Sequence, residues 1–323
     1  MEDRDVDYRR YGLSVGNPYH SRQVDPAKEE DLRLLIPIAD LPLGEGDEAR
    51  LFHKAEESSS TAFLISGRQA TGRTSLARML IHRYAAYRGF GPDFRFLTYA
   101  EPHHDSKQRI CDILRAVRNH IIRSQHWDRR EQIQNQIPLG EDGDKLSDLD
   151  LQGRAEFLAH YMKEEVKPAM HLGLLIEGMQ DPDLMDRLAV VFKYVEGIII
   201  VTRDDYHTAD TASAERIQER ERWQEWATHV TIPPLTGEEV RWLTSARWQN
   251  AAPNVQCPFE LDGVRESFNR RSEPVGRALR WLRWLLWCRL HEYTGDDAWP
   301  DAEELHLPAS WIEMMMQRGE AAP

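Results

Sequence analysis

The chain has 323 residues, 41% of them apolar, enough to bury one large or two modest cores. A formal net charge of −13 disfavours a protein that coats nucleic acid over most of its surface, because phosphate contacts need clustered Lys and Arg. The three cysteines, Cys111, Cys257 and Cys288, are odd in number and far apart, which fits neither a disulfide framework nor a zinc module and points to a reducing compartment. The opening run Met-Glu-Asp-Arg-Asp-Val-Asp is charged and holds no apolar stretch, so no secretion signal is expected. A soluble, cytoplasmic globular protein is the expectation.

In chain order, residues up to about Lys28 are polar and carry Gly16-Asn17-Pro18-Tyr19, a turn signal with an aromatic attached. A mobile arm is the plain expectation for them. Residues 30–38 have apolar side chains at helical spacing before Pro37, Pro42, Gly44 and Gly46 break the chain, and residues 49–56 predict a short helix with Ser58 to Ser60 capping its end. The apolar run 62–65 predicts the first strand. It leads into Gly67-Arg68-Gln69-Ala70-Thr71-Gly72-Arg73-Thr74-Ser75 and then a helix with Leu76, Met79, Leu80 and Tyr84 on one face.

Strand, glycine loop and helix is the context in which G-x-x-x-x-G-K-[ST] binds nucleotide phosphates. Loop amides and the positive N-terminal end of the helix converge on one point, and the two glycines let the backbone approach a phosphate. Gly67, Gln69, Ala70, Thr71, Gly72, Arg73, Thr74 and Ser75 are therefore candidate phosphate-binding residues, with Thr74 a candidate metal ligand. Arg73 stands where the pattern has lysine. An ordinary loop between a strand and a helix is the competing reading.

After a turn at Gly89 and Gly91-Pro92, residues 94–99 alternate and are aromatic-rich, a second strand. A long helix is predicted over 106–125, a polar excursion over 132–150 and another helix over 154–170. Residues 172–177 form a short apolar strand ending in Glu177, 183–195 a helix, and 197–203 the most strand-like run of the chain. A charged helical span over 214–226 precedes a last strand at 228–232. Strands alternating with helices predict a parallel α/β sheet with helices on both faces. Pro233-Pro234 is the best boundary. Beyond it the pattern is helical, starting at the capping-box-like Thr236-Gly237-Glu238-Glu239 and continuing over 258–269, 274–292 and from 302 onward with a break at Pro308. The expected division is 1–57 for an arm and helical preface, 58–233 for a nucleotide-binding α/β domain and 234–323 for a helical lid.

This order of elements, from about Asn17 to Leu286, resembles the AAA+ ATPases and their STAND signalling relatives within the P-loop NTPases. The glycine loop is the specific motif of the resemblance, and the other matches gain weight by falling in order. The resemblance implies that Glu177 takes the place of the Walker B aspartate and a metal ligand, with Gly178 where a water-positioning acid would stand. It further implies that Thr202 is a strand-end sensor with Arg203 after it, and that Arg277, following Ser272-Glu273-Pro274-Val275-Gly276, is a second sensor reaching the γ-phosphate. Asn17-Pro18-Tyr19 looks like the upstream segment that puts an aromatic near adenine. The implied ligands are ATP or ADP with Mg²⁺.

The departures point one way. A planar guanidinium at 73 is not a conservative substitute for an ammonium at a site shaped around a point charge, Glu177 is one methylene longer than aspartate, and Gly178 cannot polarise water. Phosphate binding is expected to survive and hydrolysis to be slow or absent. Arg277, Arg280, Arg283 and Arg289 alternate with Trp281, Trp284 and Trp287 on one predicted helix. Stacking on nucleic-acid bases is conceivable for such a helix, but a helical core with arginines snorkelling at its edge is favoured. The arginines also rule it out as a membrane span. His103-His104-Asp105 and Asp204-Asp205 read as solvated loop residues. The readings carried forward are a nucleotide-binding switch or scaffold, an active ATPase acting with DNA or in a ring, and an interaction module without nucleotide. A protein partner or self-association is expected, nucleic acid is the less favoured partner, and no membrane is expected.

Overall fold

The computed structural model describes residues 7–13, 16–20, 25–26, 28, 31, 41, 47–52, 60–90, 96–99, 112–117, 119, 153, 172–179, 188–189, 196–204, 226–292 and 303–319. The expected polar excursion over 132–150, the helix over 154–170 and His103-His104-Asp105 lie outside them. So do most of the expected helices over 30–38 and 214–226. Those over 106–125 and 183–195 are described in part, and 112–117, 119 and 188–189 are helical.

The sheet consists of β1 (Ser60–Gly67), β2 (Phe96–Tyr99), β3 (Leu172–Met179), β4 (Gly197–Asp204) and β5 (Thr228–Ile232), ordered β2-β3-β4-β1-β5. β1 is buried at every position, as a strand with both faces covered must be. It runs parallel to β4, with Ser60 opposite Gly197 and Gly67 opposite Asp204. The β3–β4 and β2–β3 pairs are also parallel. β4 is thus inserted between the two strands that carry the glycine loop and Glu177, and parallel pairing brings the C-terminal ends of β1, β3 and β4 to one edge. Gly197 has to be glycine, because a Cβ there would collide with the Leu172 carbonyl.

α1 (Glu48–Leu51) is shorter than the helix expected over 49–56, and Ser60 begins β1 rather than capping a helix. Phe52, just past α1, lies edge-on to Phe63 of β1 at 6.3 Å and to Tyr84 at 5.4 Å. Tyr84 belongs to α2 (Arg73–Tyr87), whose Arg83 pairs with Glu48 at 2.6 Å.

The chain divides into two compact units. One comprises Ile38–Gly67 and Leu76–Thr231, and the other Met1–Pro37, Arg68–Ser75 and Ile232–Pro323. The glycine loop groups with the helices.

In the second unit α3 (Gly237–Ala251), α4 (Leu261–Asn269), α5 (Val275–His291) and α6 (Ala309–Arg318) surround one apolar core. The capping box at the start of α3 is formed: Glu239 N donates to Thr236 Oγ1 and Thr236 N to Glu239 Oε2. α5 buries Leu279, Leu282, Leu285, Leu286 and Leu290 and leaves Arg277 and Arg280 exposed. Trp281 and Trp284 pack against the core, 5.5 Å apart, with the Arg271 guanidinium over Trp281. They serve as core residues with arginine at the rim.

The N-terminal arm is part of that core, which corrects the expectation of a mobile segment. Tyr8, Tyr11, Leu13 and Tyr19 are buried in it, and the Tyr11 hydroxyl donates to Leu305 O at 2.9 Å. Arg247 Nη1 donates to the carbonyls of Pro18 and His20, which fastens the arm along α3. Burying one large apolar side chain stabilises by about 1.5–3 kcal/mol, so these four residues anchor the described part of the arm despite its polar composition. Among the described residues no helix is long and apolar enough to cross a membrane.

Candidate functional site

β1 is buried up to Gly67, and the chain then folds back at once. The Arg68 carbonyl accepts both the amide and the hydroxyl of Thr71, at 3.3 and 2.8 Å, which closes a tight turn. Ala70 has φ 66° and Gly72 φ 90°, while Thr71 between them is not left-handed. Alternation of this kind turns successive amides toward one side and forms a concavity that holds anions. Arg68, Gln69 and Ala70 are exposed, and Thr71 is buried beneath them.

α2 opens at Arg73 with no acidic residue in its first turn, so nothing on that turn neutralises its positive end. Thr74 and Ser75 are half-buried in that turn. Arg73 is half-buried as well, with Nη1 removed from solvent. Loop amides, two hydroxyls and a guanidinium thus follow one another within a single turn of chain, a donor set that fits a polyphosphate and its cation.

The start of α5 meets the loop. Gly276 N donates to Ala70 O at 2.8 Å, and a Cβ on Gly72 would sit 3.5 Å from Val275 Cγ1. Arg277 is the next residue. Its side chain is 62% exposed and lies 3.5 Å from Glu273, whose carboxylate is nearly buried. The contacts with the loop are made by Gly276 and Val275, and the Arg277 side chain pairs with Glu273.

Glu177 and Thr202 lie at the ends of β3 and β4. Ile176 pairs with Val201 and Met179 with Arg203, so β3 carries one extra residue here, a bulge around Glu177 and Gly178. Gly178 has φ 71°, and its amide donates to Thr202 Oγ1 at 3.2 Å. Glu177 is half-buried, Gly178 is exposed and Thr202 is buried. The hydroxyl assigned as a sensor therefore ties the two strand ends together.

Tyr19 has no exposed surface, so the aromatic assigned to the adenine side of the site is spent inside the helical core. Its hydroxyl donates to Thr244 O at 3.1 Å, its ring is edge-on to Phe259, and its amide donates to Asn17 Oδ1. Asn17 in turn donates to the Tyr8 hydroxyl and to Arg283 O. Burial pushes the Tyr19 hydroxyl well above its ordinary pKa and the neighbouring Cys257 thiol up to about 11.

Three features were not read from the sequence. Asp204 belongs to β4 and is half-buried opposite Gly67, not solvated in a loop. Ser66, the residue before that glycine, is buried with His229 Nε2 at 3.1 Å and Thr231 Oγ1 at 3.2 Å. Gly276 had been read only as the residue before Arg277. Its contact with the loop spans some two hundred residues of sequence and leaves no local signal.

No protein-family model matches the chain, and no curated protein matches it. Solved structures do. The Aeropyrum pernix ORC2 protein, in ADPNP-ADP complexes, is 12% identical with a TM-score of 0.50, over 89% of this chain and 70% of that one. Drosophila ORC bound to DNA is 15% identical with a TM-score of 0.44, over 97% and 73%. Domain III of the Thermotoga maritima replication initiation protein DnaA is 15% identical with a TM-score of 0.35, over 84% and 96%. At such identities the first of these likenesses shows the fold alone. The chain has an α/β P-loop NTPase fold, a parallel sheet with a helical C-terminal part.

Proposed function

We propose that the chain is a nucleotide-binding switch or scaffold of the AAA+/STAND-like kind, which binds ATP or ADP with Mg²⁺ and hydrolyses it slowly or not at all. The observation that carries this reading is the loop itself: left-handed Ala70 and Gly72 flanking Thr71, between an apolar strand and a helix whose first turn is basic and hydroxyl-bearing. The Aeropyrum protein of the same fold was solved in ADPNP-ADP complexes, which supports an adenine nucleotide as the ligand.

In this reading the amides of Gln69 through Ser75 hold the β- and γ-phosphates, and Arg73 adds positive charge as a planar fork. Bound Mg²⁺ would neutralise phosphate charge, and Thr74 is its proposed ligand on the loop side. Arg277 is the proposed γ-phosphate sensor, which Glu273 holds when no phosphate competes for it. Phosphoryl transfer to water needs a group that orients the nucleophile. Gly178 offers none. Slow hydrolysis follows, and the Walker motifs are degenerate in function.

Signal output would pass through a protein partner or self-association. A cytoplasmic location accords with Cys257 and Cys288 being free. Calorimetry of the purified chain with ATP and ADP, with and without Mg²⁺, tests the reading. Saturable binding of either nucleotide supports it, and no binding in any arm removes it.

A further inference from the structure

We infer that Gly276 is a positioning residue for the phosphate loop: α5 takes its N-terminal cap from the loop's main chain, and the same hydrogen bond holds Ala70 in its left-handed conformation. The inference rests on the phosphate-binding reading above and adds a structural control to it.

The first amides of any helix lack partners within the helix, and a side chain at the preceding residue commonly supplies one. α5 begins after Pro274, which makes no side-chain cap. Gly276 is the second residue of α5, and its amide is satisfied by Ala70 O at 2.8 Å. Seen from the loop, Ala70 is one of two described non-glycine residues with positive φ, a conformation that a Cβ opposes. Something has to hold it there. The Gly276 amide does so directly, and Val275 stands beside Gly72, the other left-handed position of the loop.

The fit leaves no room for a side chain. A Cβ on Gly276 would sit 2.9 Å from Ala70 Cβ and 3.1 Å from Ala70 O, so α5 can cap itself on the loop only with glycine at 276. Because Arg277 follows immediately, the same bond fixes where its side chain begins. Loop geometry and α5 position are therefore a single equilibrium. By linkage, a ligand that prefers the formed loop strengthens the joint, and a change that breaks the joint weakens the ligand by the same factor.

The test uses the full chain as wild type, Gly276→Ala, Ala70→Gly and the double variant. The readouts are ADP and ATP affinity by calorimetry, melting temperature without ligand, and hydrogen exchange at the Gly276 amide. Gly276→Ala is expected to weaken ADP about tenfold, and Ala70→Gly, which removes the Cβ it meets, to restore most of that loss in the double variant. The Gly276 amide of the unliganded wild type is expected to exchange slowly. Affinity unchanged in Gly276→Ala, or fast exchange at Gly276, overturns the inference. Exchange on the wild type keeps the test decisive should the alanine variant not fold. If the wild type binds no nucleotide, the phosphate-binding reading fails, and the joint is then decided by whether the two substitutions couple in the melting temperature. Additive effects there overturn it as well.

Discussion

The hydroxyl of Thr202 accepts the amide of Gly178 at 3.2 Å, so the end of β4 holds the bulged end of β3 in place. A bulge of this kind leaves a residue out of the ladder, and its amide needs another acceptor. Thr202→Val keeps the shape and removes that acceptor. It is expected to destabilise the chain by about 1–2 kcal/mol in urea unfolding, while Thr202→Ser stays near wild type.

The glycine at 178 bears on turnover. With an exposed glycine after Glu177, phosphate release from ATP is expected at background level, with or without Mg²⁺. Arg73→Lys, which returns the compact ammonium to the loop, is expected to tighten ADP binding while leaving turnover at background. Steady ATP turnover by the wild type that disappears in Glu177→Ala would instead favour an active ATPase.

Tyr19 separates an adenine contact from a structural anchor. Tyr19→Phe removes one buried hydrogen bond and is expected to cost about 1 kcal/mol of stability, with ADP affinity unchanged. Tyr19→Ala empties a core position and is expected to cost about 3–5 kcal/mol. Loss of ADP affinity in the phenylalanine variant, at unchanged stability, would contradict the assignment.

Alkaline pH probes the two cores through groups that burial keeps neutral. Burial raises the Cys257 thiol from 9.0 to about 11 and the Cys288 thiol from 9.0 to about 12, and it raises the Tyr84 hydroxyl from 10.0 to about 12. Each folded value lies above the unfolded one. The associated stability is therefore fully present below the unfolded pKa and is lost as pH rises through the folded pKa. The melting temperature is expected to hold to about pH 9 and to fall steadily from there toward pH 12. Native Cys257 and Cys288 should accordingly react slowly with thiol reagents at pH 8 and quickly after unfolding.

Much of this architecture was legible in the sequence because its determinants are local. The apolar strand, two glycines and amphipathic helix fixed β1, the loop and α2, and Thr236 with Glu239 forecast a capping box that is formed. Alternation of strands and helices indicated a parallel sheet. Composition misled at the arm, where Tyr8, Tyr11, Leu13 and Tyr19 are sparse among polar residues and the apolar cluster they join is otherwise built from residues 235–316. Asp204 looked solvated because a strand extended by one charged residue has no sequence mark. The Gly276 joint was hidden for the same reason as the arm: a main-chain hydrogen bond between distant segments depends on neither side chain.

The most direct measurement of the central claim is the melting temperature of the purified chain against rising ADP, ATP and GTP, with Mg²⁺, beside a Gly72→Val control. A ligand that binds only the folded state at a hundredfold excess over its Kd adds about 2.7 kcal/mol to stability. The melting temperature should therefore climb with nucleotide in the wild type and stay flat in Gly72→Val, where φ is 90° and a branched side chain is strained. A wild-type melting temperature that ignores ATP, ADP and GTP alike would mean that the loop keeps the shape of a phosphate cradle without holding one.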